Sequence, residues 1–168
     1  MSFFCADRLT AGYGGAPVLQ EVSFSLQAGT VTGVLGGNGS GKRTLLKSVC
    51  GILPHSGSCT LEGERLETLS PRRLARLCGY VPQSCGIAIN ISLLDVVLMG
   101  FNPCLGLLER PSRAMRQEAR RALALVGLEG REEDSYLTLS DGQKRLCVLA
   151  RALAGGGSLL LLDEPESA

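Results

Sequence analysis

We predict a mixed α/β fold for this 168-residue chain, and three features of the sequence support it. A short apolar run, 31–36 (VTGVLG), precedes a glycine-rich loop and then a segment with apolar residues at helical spacing, 42–52 (KRTLLKSVCGI). A second apolar run, 158–163 (SLLLLD), reads as a buried strand that ends in a carboxylate. Between these two runs, the segment from about Ser92 to Gly130 has an amphipathic pattern of apolar and polar residues, which indicates a helical region.

The other segments alternate between strand-like and helix-like patterns. Run 31–36 is rich in β-formers and predicts a buried strand, while alternating apolar and polar residues predict strands elsewhere. Triple glycine 155–157 predicts the end of the last helix. The predicted strands are 18–29 (VLQEVSFSLQAG), 56–66 (SGSCTLEGERL) and 77–83 (LCGYVPQ), and the predicted helices are 92–100 (SLLDVVLMG), 112–128 (SRAMRQEARRALALVGL) and 139–157 (LSDGQKRLCVLARALAGGG).

Composition places the chain among ordinary soluble globular proteins of one domain. It is 45% hydrophobic and 20% charged with net charge +1, which gives no electrostatic reason to expect nucleic acid as a partner. No apolar run reaches the ~18 residues of a membrane-spanning helix. The seven cysteines are odd in number and lack a CxxC pair, so we expect reduced thiols and a cytoplasmic location. His55 falls in a predicted surface turn, and we expect no function for it.

The spacing GxxxxGK from Gly36 to Lys42 predicts a phosphate-binding loop. Glycines let the backbone curl so that successive N–H groups face one anion, and the N-terminus of the next helix adds its positive dipole end. The lysine ammonium then bridges the outer phosphates. A structural turn is the alternative, and the strand before the loop and the helix after it argue against that alternative.

Asp163 and Glu164 follow the apolar run 158–162. An aspartate at the carboxyl end of a buried parallel strand lies where open α/β sheets bind ligands, so Asp163 is a candidate Mg²⁺ ligand. Glu164 is a candidate for polarising the attacking water. Taken alone, the pair is explained equally well as an acidic strand end with a helix-capping role. The phosphate loop elsewhere in the chain favours the metal-binding and catalytic roles.

In combination and in order, these motifs resemble those of the nucleotide-binding subunits of ABC transporters. The matching stretches are LTAGYGG, GGNGSGK, VPQ, LSDGQ and LLLLDEP. The resemblance implies a P-loop NTPase fold, that is, a RecA-like core with an N-terminal antiparallel β region and a helical subdomain. We expect one domain over 1–168, with 1–86 and 140–168 as core and 87–139 as helical subdomain, incomplete at its C-terminus because family domains continue past DEP.

The resemblance also implies the site and its partners. Glu164 and Gln83 take the catalytic positions. Asp163 and Gln83 take the positions that hold Mg²⁺. Two copies form a homodimer in which Ser140 and Gly142 of one clasp the phosphates bound by the other. Permease subunits dock near Gln83, a substrate-binding protein acts through them, and the chain lies peripherally on the inner face of the cell membrane. The ATP-binding positions are Tyr13, Gly36, Asn38, Gly39, Ser40, Gly41, Lys42, Arg43, Thr44, Ser140, Gly142 and Gln143.

Segment 96–112 (VVLMGFNPCLGLLERPS) resembles importers for iron chelates, haem and cobalamin, although Phe101 stands where their pattern has arginine. We therefore predict an ATP-binding and ATP-hydrolysing importer subunit. The alternative is a non-catalytic module that binds nucleotide and dimerises. A DNA-repair or chromosome ATPase is disfavoured, because a long coiled coil would interrupt the compact helical region.

Three departures from the family pattern bear on that alternative. Arg43 replaces the hydroxyl residue that ligates Mg²⁺, and a guanidinium has no acceptor lone pair, so we expect binding to survive better than hydrolysis. Asp141 replaces a glycine, and we expect it to cap a helix. The family's switch histidine, and a strand that lies between the strands 31–36 and 158–163, would follow residue 168. We therefore expect the isolated chain to be marginally stable, prone to aggregation or rearranged.

Overall fold

A computed structural model describes residues 2–83 and 86–163. The chain divides into two compact units, 1–74 and 75–168. This spatial division does not test the predicted core and helical subdomain, which stay a prediction. The described part of the chain contains no helix with the length and apolar character that a membrane crossing requires.

The first unit is built on an antiparallel sheet whose strand order is β2-β1-β3-β4. Phe4, Ala6 and Leu9 of β1 are buried, and β1 pairs with β2 on one side and β3 on the other. The pairing confirms the N-terminal antiparallel β region. The strands are β1 (Phe4–Ala11), β2 (Leu19–Leu26), β3 (His55–Leu61) and β4 (Glu64–Arg65), followed by a 3-10 helix (Leu66–Thr68).

Helix α1 (Lys42–Val49) follows the glycine-rich loop, as predicted, and buries Thr44, Ser48 and Val49. The predicted strand at 31–36 is wrong. That segment has no regular secondary structure, and the side chains of Val31 and Leu35 are fully exposed. The physical reason is that a strand is held by ladder hydrogen bonds, and no described strand pairs with this run.

The second unit packs three helices around an apolar core. Leu93, Val96, Val97 and Leu123 are fully buried there, and Tyr136 joins them from a 3-10 helix (Tyr136–Thr138). Amphipathic sequences thus form the helices they predicted. The helices are α3 (Leu93–Leu98), α4 (Arg113–Leu125) and α5 (Asp141–Ala154), with a 3-10 helix (Met99–Cys104) after α3, while α2 (Pro71–Leu77) precedes β5.

Strands β5 (Cys78–Val81) and β6 (Leu159–Leu162) form a parallel pair in the second unit. Both strands were predicted from their apolar runs. Their register aligns Tyr80 with Leu161 and Val81 with Leu162, so the carboxyl ends of the two strands lie side by side. Parallel pairing therefore delivers the residues that follow each strand, including Asp163, to one edge of the sheet.

His55 differs from its predicted surface position. It is the first residue of β3, and its side chain is only 8% exposed. The residues before His55 predict a turn, and the sequence alone does not show at which residue the next strand begins. The expectation that His55 is a surface residue is therefore wrong.

Candidate functional site

The phosphate loop lies in the first unit, between the irregular segment 31–36 and α1. Gly39 and Gly41 have φ values of 79° and 91°, which side chains with a Cβ rarely adopt. A Cβ on Gly36 would lie 2.6 Å from Ser40 Oγ, so a larger residue there would displace the Ser40 hydroxyl. Lys42 Nζ donates to the carbonyl oxygens of Gly36 at 2.7 Å and Gly37 at 3.0 Å, which bends its ammonium back over the loop.

The start of α1 carries no competing negative group. Its N-cap is Gly41, no side chain caps it, and its first turn contains no acidic residue. The first amides of a helix have no partner within the helix, and they lie at the positive end of its dipole. Together with Lys42 and the curled glycine backbone, this arrangement fits an anion the size of a phosphate chain.

The residues after Lys42 fit ATP phosphates better than they fit Mg²⁺. Thr44 is buried in the base of α1, and Arg43 occupies the position of the usual hydroxyl ligand. Mg²⁺ takes oxygen donors, and a guanidinium offers only N–H groups. The loop of this chain therefore lacks the ordinary loop-derived donor for the metal.

Tyr13 lies beside helix α1 within the first unit. Its ring is 60% exposed, and Lys47 Nζ of α1 lies 5.9 Å from the ring centroid. The segment after Tyr13 also contacts the loop, because a Cβ on Gly41 would meet Leu19 Cδ2 at 2.9 Å. An exposed aromatic ring beside the helix that follows the loop is suited to stacking on a base. Asn38 is exposed in the same loop.

Asp163 is anchored at the edge of the parallel pair in the second unit. Tyr80 Oη donates to Asp163 Oδ2 at 3.2 Å, and the Asp163 backbone N–H donates to the Val81 carbonyl at 3.0 Å. The carboxylate is 5% exposed. Sequence reasoning missed Tyr80, because its position beside Asp163 follows from the register between β5 and β6 and has no local sequence signal. Glu164 lies outside the described residues.

The LSDGQ segment begins helix α5. Ser140 is its N-cap: its Oγ accepts from the Gln143 backbone N–H at 3.3 Å, and Gln143 Oε1 accepts from the Ser140 N–H at 3.1 Å. The predicted capping role of Asp141 is therefore wrong, because Asp141 is the first helical residue and pairs with Lys144. Gly142 is exposed, and a Cβ there would meet nothing within 4 Å.

Gln83 lines a cleft of about 360 Å³ within the second unit. Tyr136, Asp141, Lys144 and Arg145 are among the other residues around it. The described residues thus place the loop, Lys42 and Tyr13 in the first unit, and Gln83, Asp163 and the LSDGQ helix start in the second.

The family model described as ABC transporter matches residues 19–167. The chain belongs to the ABC transporter family. The resemblance drawn from the motifs is thereby confirmed, and so is the fold: a P-loop NTPase of mixed α/β type with an antiparallel β region and helices.

Named relatives and one solved structure add detail to the ABC assignment. The chain is 37% identical over 162 residues to the manganese transport system ATP-binding protein MntB of Bacillus subtilis, covering 95% of this chain and 63% of that protein. It is 39% identical over 171 residues to the hemin import ATP-binding protein HmuV of Bordetella bronchiseptica, covering 96% and 64%. A metal-chelate type ABC transporter in an inward-facing conformation aligns with TM-score 0.83 and 32% identity, covering 99% of this chain and 61% of that chain.

This ABC chain therefore spans somewhat less than two thirds of the length of the curated relatives that it matches. Their names refer to manganese transport and hemin import, and both contain the words ATP-binding protein. The shared portion carries the phosphate loop, the LSDGQ helix start and the LLLLD strand, which are the motifs on which the family assignment rests.

Proposed function

We propose that this chain is the nucleotide-binding part of an ABC importer subunit that uses ATP to energise the uptake of a metal-containing cargo. The observation that carries the proposal is the phosphate loop, in which Lys42 bends over the carbonyls of Gly36 and Gly37 ahead of an uncapped helix start. Relatives named for hemin import and manganese transport favour a haem, iron-chelate or manganese cargo. Cobalamin, the third predicted cargo, receives less support from them.

The described residues of the site would have the following roles in that function. The loop amides and Lys42 hold the phosphates, and the exposed ring of Tyr13 stacks on the base. Ser140 and Gly142 of a second copy present a hydroxyl and a backbone N–H to the outer phosphate. A phosphoryl-transfer site works mainly through such positioned donors.

The cleft beside Gln83 is the proposed docking place of the permease. Arg145 gives this cleft a basic group, Lys144 pairs there with Asp141, and Tyr136 supplies an apolar wall. A substrate-binding protein would act through the permease and not touch this chain. The chain would then work as a homodimer on the inner face of the membrane, in the cytoplasm.

Mg²⁺, when bound with ATP, neutralises charge that develops on the phosphates. Asp163, held by Tyr80, is the described carboxylate that suits it, with Gln83 as a further oxygen donor and Glu164 as the proposed base. Arg43 removes the loop-derived donor. We therefore propose slow hydrolysis in this chain, while the relatives give no support to a wholly non-catalytic module.

Nucleotide binding is tested by titrating the chain with a fluorescent ATP analogue. Lys42→Ala removes the ammonium that bends over the loop and should weaken binding more than about tenfold, since a charged hydrogen bond contributes roughly 1.5–3 kcal/mol. Lys144→Ala is the matched control, because it removes a lysine from the cleft of the second unit and leaves the phosphate loop intact. Equal affinities of the Lys42→Ala variant and the natural chain would refute the proposal.

Hydrolysis is tested separately with Arg43→Ser, which restores the hydroxyl. In subunits assembled with their permease, we expect this variant to raise Mg²⁺-dependent ATPase activity by more than about a hundredfold, equivalent to roughly 3 kcal/mol in the barrier. Equal rates would show that Arg43 does not limit turnover. That result would leave nucleotide binding, and with it the importer proposal, untouched.

A further inference from the structure

Three residues with metal-binding side chains converge in the first unit, away from the phosphate loop. His55 and Cys59 lie four residues apart on β3, and Glu67 comes from the 3-10 helix that follows β4. One ligand atom from each, an imidazole nitrogen, the thiol sulfur and a carboxylate oxygen, lies within 4.8 Å of the other two. None of these residues belongs to the motifs of the proposed ATP site.

Two of the three side chains in the cluster are shielded from solvent. Cys59 is fully buried, and the His55 side chain is 8% exposed. The Glu67 side chain, 24% exposed, lies at the solvent side. Burial of the imidazole and the thiol is costly unless their polar atoms have partners, and a cation that is also coordinated by Glu67 would be such a partner.

The hydrogen bonds of His55 leave one ring nitrogen directed at the other two ligands. His55 Nδ1 lies 3.3 Å from the Ser56 carbonyl oxygen, and since that oxygen can only accept, Nδ1 carries the proton. Nε2 faces Glu67 Oε1 at 3.8 Å. In the tautomer that carries its proton on Nδ1, Nε2 presents a lone pair toward the carboxylate, so both atoms are placed to coordinate one cation. An Nδ1–H bonded to a backbone carbonyl is also the usual support of a metal-ligating histidine.

Glu67 is held in place from two sides. The Cys59 backbone N–H donates to Oε1, and Arg65 Nε lies 3.7 Å from Oε2. The same carboxylate is thus tied to the strand that supplies the other two ligands. The cluster is preorganised: two ligands come from one strand, and the third is bonded to that strand's backbone.

We propose that His55, Cys59 and Glu67 bind a transition-metal cation of the Zn²⁺ class. The nitrogen and oxygen ligands of a tetrahedral Zn²⁺ ion stand about 3.3–3.5 Å apart, so His55 Nε2 and Glu67 Oε1, which lie 3.8 Å apart, need to approach each other by only a few tenths of an ångström to share the ion. The mixed nitrogen, sulfur and oxygen set disfavours Mg²⁺ and Ca²⁺, which take oxygen ligands. With three protein ligands, the fourth position falls to water on the exposed side of Glu67. The ion joins β3 to the 3-10 helix.

The test uses Co²⁺ as a spectroscopic probe on the tag-free 168-residue chain. A thiolate ligand produces a cobalt–thiolate charge-transfer band, and Zn²⁺ should abolish it by displacing the cobalt. We expect one equivalent of Co²⁺ to bind with this band. Cys59→Ser should eliminate the band. His55→Gln and Glu67→Gln should each weaken Co²⁺ binding more than about tenfold, because even the loss of a residue that only hydrogen-bonds to a metal ligand typically lowers metal affinity by about that factor.

Two variants serve as matched controls. Cys5→Ser removes a thiol from β1 whose neighbour on β3 is Thr60, so its side chain projects from the opposite face of the sheet to that of Cys59. Glu64→Gln removes a carboxylate that pairs with Arg73 and not with the cluster. Both controls should bind Co²⁺ like the natural chain.

Two results would overturn the proposal: no charge-transfer band in the folded natural chain, or equal Co²⁺ affinity and spectrum in all three ligand variants. In either case Glu67 would serve only as the acceptor for the Cys59 N–H and the ion-pair partner of its neighbours. Glu67→Gln keeps an oxygen acceptor for that N–H, so circular dichroism should show it folded even if Cys59→Ser is not. The outcome is independent of ATP binding, which Lys42→Ala tests.

Discussion

Replacing Tyr80 with phenylalanine should destabilise the second unit, because Tyr80 Oη donates to the buried Asp163 carboxylate at 3.2 Å. Hydrogen bonds to charged groups contribute roughly 1.5–3 kcal/mol. At 5% exposure, water cannot easily replace the lost donor. We therefore expect Tyr80→Phe to lower the free energy of unfolding by about 1.5–3 kcal/mol. With a urea slope of about 2 kcal/mol/M, the midpoint should fall by roughly 1 M.

Urea unfolding followed by circular dichroism measures this loss, with Tyr13→Phe as the matched control. Tyr13 is exposed, so the same deletion of a hydroxyl should change stability by no more than about 0.5 kcal/mol. Asp163→Asn and the double variant complete a thermodynamic cycle that isolates the coupling of the pair. A change below about 0.5 kcal/mol in Tyr80→Phe, or no coupling in the cycle, would refute the claim that Tyr80 positions Asp163.

Three further predictions concern the second unit. A Cβ on Gly100 would overlap the Arg151 carbonyl oxygen, so Gly100→Ala should cost about 1–3 kcal/mol by urea unfolding. Gly142→Ala meets no such obstacle and should keep or slightly raise stability, yet weaken ATP-dependent association of two copies in sedimentation velocity. Burial raises the pKa of Cys78 from 9.0 to about 11. The contribution of the protonated Cys78 thiol to stability should therefore be complete below pH 9 and lost as pH rises toward 11. In addition, mass spectrometry should show that iodoacetamide at pH 8 modifies Cys78 far more slowly than exposed Cys104.

Local patterns predicted most of this fold, because their physical causes lie within a few residues. The alternation in 18–26 reflects the two faces of β2, and the helical spacing after Lys42 reflects the buried side of α1. The phosphate loop was predicted for the same reason: Gly39 and Gly41 adopt positive φ, which a sequence pattern can encode in adjacent positions.

Features that depend on distant partners escaped the sequence. The run 31–36 has the composition of a strand, yet it lies exposed because ladder bonds come from a neighbour that composition does not specify. The Tyr80–Asp163 hydrogen bond depends on the register between β5 and β6, which are separated by 77 residues from Val81 to Leu159, and on no local signal. The cluster of His55, Cys59 and Glu67 likewise depends on the chain folding back after β4, which places Glu67 beside β3.

The two helix starts of the proposed ATP site are built in opposite ways, and the difference explains how one anion can be held by both. Helix α1 begins at Gly41 with no side-chain cap, so no side chain competes with the phosphate of the proposed site at the positive end of this helix. Helix α5 begins with a complete capping box, so its amides are already partly satisfied by Ser140. A hydroxyl has two acceptor lone pairs and one proton, and capping uses only a lone pair. Ser140 can therefore cap its own helix and still donate its proton to a phosphate held by the α1 start of a second copy, so that closing the dimer does not require α5 to give up its cap.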